Sequence, residues 1–219
     1  MACNLTNPAG SRTWSDLVPR VKPSVRGAPE AIIEDALRLA AIDFCRRTEV
    51  LKKYFEVDLQ KGVSDYYLEL EACSTPIRIY SARVADRFGI VPRAGDQWNV
   101  CGCGGYGFSS ESPTHLRINP YSGNDQERGL LVTLVVAPSQ AGCELDDFLH
   151  DQWAEAICMG ARARLHGMLG SSVKPNSWYS PQEERKFQRS FDVEMARAKL
   201  EVGRGYHSGP VRARATRWV

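Results

Sequence analysis

The sequence predicts an α+β fold: a helical bundle interrupted by an all-β insert, with extended N- and C-terminal arms. Three observations predict it. Apolar residues recur at helical spacing over residues 29–51 and again after Leu145. Between these stretches lie short β-branched and aromatic runs divided by turn clusters. Strands are thus grouped between helices instead of alternating with them, which argues against a parallel βαβ sheet.

The elements follow in order. Residues 1–28 are rich in Pro, Gly, Ser and Arg and read as an N-terminal arm. A short amphipathic piece at 14–21 has Ser15 as its candidate cap and Pro23 as its stop. Pro29 suits a first helical turn, and Ile33, Leu37, Ala40 and Phe44 mark the buried stripe of the first bundle helix, within segment 29–52.

Residues 53–140 form the β insert, of about six strands. The runs are KYFEVDLQ, DYYLELE, PIRIYSARV, DQWNVC, HLRINP and GLLVTLVVA. The first two are expected to pair as a hairpin across KGVS, and the nearly continuous apolar run beginning RGLLV reads as a central strand buried on both faces.

Residues 141–203 return to helix. Leu145, Phe148, Leu149, Trp153, Ile157, Ala161, Leu165 and Met168 trace one stripe, with Gly170 as the expected stop. Asp146 and Asp147 favour its positive end. Ser180, Pro181 and Glu183 combine a capping hydroxyl, a first-turn proline and a capping-box carboxylate, and Phe187, Phe191, Met195 and Ala198 continue as a core stripe to Gly203.

Composition excludes little but excludes it cleanly. In 219 residues, 43% are hydrophobic and 25% charged, so a sizeable core is expected without disulfide or metal. A net charge of +2 is far from that of a dedicated nucleic-acid binder. The seven cysteines are odd in number and scattered, and read as reduced thiols of a cytosolic product. The opening residues carry no apolar run of the secretory type, and no segment approaches a membrane span.

Candidate chemistry is sparse. Gly102, Gly104 and Gly107 satisfy GxGxxG, but SSESPTHL follows where a phosphate-binding helix would have to begin, so a glycine loop is expected. Cys101 and Cys103, with His115 nearby, lack the four ligands of a closed zinc site. His150 between Asp147 and Asp151 is not in an HExxH spacing and reads as a polar-face histidine. Glu69, Glu71, Asp86 and Asp96 offer carboxylates without any sign that two converge. No P-loop or GxSxG elbow occurs. The reading is therefore no enzyme, no cofactor, no catalytic residue and no metal. The alternatives are a small enzyme whose site no motif reveals, or a nucleic-acid-binding accessory protein.

The tail carries the most information. Residues 204–219 contain no acidic side chain and alternate Arg with small or apolar residues, while Gly205, Gly209 and Pro210 argue against helix. Extended, the segment reaches roughly 50 Å. Trp and Arg dominate interface energies, and Arg grips carboxylates through two bonds, so Arg212, Arg214, Arg217 and Trp218 read as a docking arm.

The stretch WSDLVPRVKPSVRGAPEAIIEDALRLAAIDFCRRTEVLKKYFEVDLQKGVSDYYLEL resembles the head-to-tail adaptor proteins of tailed bacteriophages, particularly the tail-tubular or gatekeeper type. Similarity of layout extends to the position of the insert, the returning helix pair and the Arg-rich tail. The resemblance implies a structural virion protein of the neck, made in the host cytoplasm. It implies a dodecameric ring that binds the portal protein above and a tail tube or nozzle protein below, with DNA passing through its channel unspecifically and no membrane partner. It assigns Val211, Arg212, Arg214, Arg217 and Trp218 to portal docking, and residues 101–110 to contacts below. The CGCGGYG sequence within that segment departs from the family pattern.

Overall fold

A computed structural model describes residues 12–70, 73–84, 108–118, 125–142, 144–169 and 176–203, together with the backbone of 87–90. The α+β class holds: helices enclose a stretch of antiparallel strands. Residues 96–101, expected as a strand, the glycine loop at 101–107 and the arm at 204–219 lie outside the described residues.

The chain opens with β1 (Arg12–Thr13), a single 3-10 turn (Trp14–Leu17) and α1 (Val18–Val21). The short amphipathic helical piece expected at 14–21 is present, but the segment is packed where an extended arm is expected: Trp14, Leu17, Val18, Val21, Val25 and Ala28 are all buried. Amphipathic spacing gave each short turn an apolar face, and burying that face outweighs the entropy of a loose segment. The Trp14 indole N–H donates to the Gly142 carbonyl at 3.1 Å, fixing this segment far along the chain. The turn begins at Trp14, not after Ser15: the Asp16 carboxylate accepts the Thr13 N–H at 2.8 Å.

Next comes α2 (Glu30–Thr48), which ends where Glu49 turns left-handed with φ 57°. The strands follow as β2 (Lys52–Leu59), β3 (Asp65–Tyr67), β4 (Ser74–Val84), β5 (Arg87–Ile90), β6 (Phe108–Ser112), β7 (His115–Ile118), β8 (Gln126–Pro138) and β9 (Glu144–Leu145). They build a four-stranded sheet of order β2-β8-β4-β5, a three-stranded sheet β3-β7-β6, and a pair β1-β9, all antiparallel.

Strand β8 is the axis of the larger sheet, as its apolar run predicts. Its far half, Leu134–Pro138 in sequence, is buried at every residue, whereas the half before it alternates. The expected hairpin across KGVS does not form. Strand β2 pairs with β8, and β3 pairs with β7. Tyr66 decides this, because its buried ring belongs with Leu116, Ile118 and Phe108 on the apolar face of the smaller sheet, so the turn at 60–64 passes the chain between sheets. Strand β6 was legible only as a loop: FSSES has little β propensity, and pairing with β7 imposes its extended form.

The helical layer closes with α3 (Asp147–His166) and α4 (Pro181–Gly203). Leu145 belongs to β9, not to the helix, and α3 stops at Gly167, before the expected Gly170. Asp146 caps α3, accepting the Phe148 N–H at 3.0 Å. Helix α3 lies between α2 and α4: the Phe44 ring meets Trp153 at 5.3 Å and Phe191 at 6.1 Å. Gly160 permits that approach, since a β-carbon there would stand 2.9 Å from the Phe191 ring. One apolar cluster runs from the helices into both sheets.

Candidate functional site

None of the sequence-predicted docking residues, Val211, Arg212, Arg214, Arg217 and Trp218, falls within the described residues. What the structure places is the end of α4 from which their segment leaves. Gly160 of α3 sits against Phe191, and the Arg197 guanidinium lies 5.8 Å over the Trp153 ring, so α3 and α4 are antiparallel. Ala40 beside Gly160, and Phe44 beside Trp153, make α2 antiparallel to α3 as well. Helix α4 therefore ends at the same end of the bundle as α2, where the chain enters β2.

Along α4 two apolar stripes coexist. Phe191, Met195 and Ala198 face the core. Val193, Ala196 and Leu200, at i, i+3 and i+7, face outward, and Val193 is 66% and Leu200 63% exposed. A solvated helix face is ordinarily polar, so this second stripe is a candidate contact surface. Sequence reading missed it because the stronger stripe absorbed the helical period. The signal was present in the spacing of those three residues.

The other candidates resolve into local pairs. His150 bonds its neighbour's carboxylate, Nδ1 to Asp151 Oδ1 at 2.9 Å, and that hydrogen bond holds the Asp151 carboxyl below its usual range. His115 is buried at the sheet pair β3-β7, with Nε2 3.0 Å from Asp65 Oδ1 and its ring 4.8 Å from exposed Tyr67. Hydrogen bonds from Ser64 first, and from His115, lower the Asp65 carboxyl. Of the four carboxylates weighed earlier, Glu69 is described, and it borders a groove with Lys53, Tyr54 and Phe55. Glu71, Asp86 and Asp96 lie outside the described side chains. Among the described residues no group of three or more His, Cys, Asp or Glu side chains is placed to hold a metal.

The two buried thiols are poor nucleophiles. Burial pushes Cys45 far above the ordinary thiol range and Cys158 up to about 11, which keeps both protonated and inert. A buried cation is displaced as well: burial brings the Lys52 ammonium down to about 8, with Glu49 opposing the shift. Its Nζ lies 3.7 Å from the Tyr80 ring centroid, beside the two-bond pair Arg78–Glu49 at 2.9 and 2.6 Å. This cluster joins the end of α2 to the sheet.

Surface grooves of about 410 Å³ between α2, α3 and α4, and about 380 Å³ at Lys53, Tyr54, Phe55 and Glu69, are open and shallow in lining. In the first, Asp43 and Arg164 already pair at 3.7 Å. No helix among the described residues is long and apolar enough to cross a membrane. No protein-family model matches this chain, and no curated protein matches it.

Proposed function

We propose that the chain is a structural virion protein, a head-to-tail adaptor that forms a ring, twelve-fold by the resemblance of its sequence, between the portal and the tail of a bacteriophage. The observation that carries this reading is the outward stripe Val193, Ala196 and Leu200 on a helix that ends where the basic arm begins. A ring subunit needs an apolar face for its neighbour and a tether for the next ring, and α4 supplies both in one run of chain. Each tether can be weak, because identical copies in a ring multiply it through effective concentration. In this role the protein performs no catalysis, and DNA passes without specific binding.

Truncation tests it. Removing residues 204–219 should leave the bundle folded, by circular dichroism, and abolish co-sedimentation with assembled portal rings. Undiminished attachment of the truncated chain would rule out the role of Arg212, Arg214, Arg217 and Trp218.

A further inference from the structure

We infer that copies of this chain join head to tail, with the outward stripe of α4 seated in the trough over α3 of a second copy. The inference deepens the ring reading above and rests on its assignment of the stripe to a neighbouring copy.

Helices α2, α3 and α4 lie side by side, with α3 in the middle and antiparallel to both. Along α3, Gly160, Ala163 and Gly167 follow at i, i+3 and i+7, and all three line the groove of about 410 Å³. Their small side chains keep its floor low, while Leu39 and Asp43 of α2 form one wall and Glu184 and Gln188 of α4 the other. A trough over one helix and between two others is shaped for a fourth, because helix axes pack roughly 8–10 Å apart. The floor from Gly160 to Gly167 is about 10.5 Å long at the helical rise.

Val193, Ala196 and Leu200 repeat the spacing i, i+3 and i+7 and so span the same length, with both larger side chains exposed. The charges agree with the shapes. By helical angle Arg189 and Arg197 flank the stripe, one on each side, and both are exposed. Asp43 and Glu184 stand on the two walls of the trough. Asp43 has Arg47 at 3.8 Å and Arg164 at 3.7 Å, and Arg197 is held along its own helix by Glu194 and Glu201. Glu184 and Arg189 form no ion pair among the described residues, so a second copy supplies each with a counter-charge.

Stripe and trough lie on different sides of α4: Phe191 packs against Gly160 of α3, whereas Val193 and Leu200 turn away from it. Two different patches of one subunit meet in each contact, which leaves every copy with a free half. Such a contact propagates until it closes as a ring. A stripe paired with a second stripe would instead stop at a dimer.

Sedimentation velocity on two variants tests the seam. Gly167→Trp blocks the trough and keeps the stripe. A β-carbon at that position meets the end of the flexible Glu184 side chain at 3.0 Å, and the backbone φ of −80° suits any residue, so the bundle should stand. Val193→Asp with Leu200→Asp does the reverse. Each alone should sediment as a monomer at a concentration where the wild type assembles. An equimolar mixture should give dimers and nothing larger, because one intact stripe meets one intact trough. Should circular dichroism show Gly167→Trp unfolded, Gln188→Trp on the exposed wall takes its place. Assembly of the trough-blocked variant by itself overturns the inference, since the seam then lies stripe to stripe or elsewhere. A mixture that stays monomeric overturns it, and so does a wild type that stays monomeric up to its solubility limit. Co-sedimentation of the wild type with portal rings reads the adaptor role separately: head-to-tail pairing without portal attachment removes that role and keeps the seam, and attachment through another seam does the opposite.

Discussion

At Lys52 a positive charge sits almost fully buried against Tyr80, and its environment fixes how stability responds to alkali. The folded ammonium loses its proton near 8, against an ordinary value of 10.5. Between those values the unfolded chain binds more protons than the folded one, so this residue makes stability rise with pH. Below about 8 both states are charged and the burial penalty is felt in full. Cys45 and Cys158 act in the opposite sense, because their folded thiols hold protons that unfolded thiols release above about 9. The contribution of Lys52 is therefore isolated by difference. Urea midpoints of wild type minus Lys52→Met, measured from pH 7 to 10.5, should climb through this window, and a flat difference would contradict the buried-cation account.

At the scale of elements, the contact of α3 with α4 depends on the absence of one side chain. Gly160 faces the Phe191 ring and Ala40, and any β-carbon there meets the ring edge at 2.9 Å and the Ala40 methyl at 3.1 Å. Gly160→Val should destabilise the fold by about 2–3 kcal/mol, because neither helix can withdraw without opening the core behind Phe44. Thermal denaturation checks this, and a compensating Phe191→Leu should recover part of the loss in the double variant. Recovery would show that the two positions are coupled, not merely each costly.

For the whole molecule, the proposed ring assembly through the outward stripe on α4 can be tested apart from folding. Val193→Asp with Leu200→Asp should leave the melting temperature within a few degrees of wild type, since exposed substitutions typically change stability by less than about 0.5 kcal/mol. Self-association should nevertheless be lost, which sedimentation velocity and electron microscopy can read. Rings that persist in this variant would place the subunit seam elsewhere.

The residues alone determined the class of the fold, the three principal helices and the central strand β8, because each carries a periodicity that only one backbone geometry can bury. The core stripe of α4 was equally legible, being local in sequence. Partnership was not. That β2 and β3 belong to different sheets, that serine-rich β6 is a strand, and that Trp14 reaches Gly142 all follow from contacts between distant residues, to which local propensity is blind. The same limit hid the outward stripe: apolar spacing states that a helix has two faces to cover, and only tertiary packing decides which one its own chain has covered.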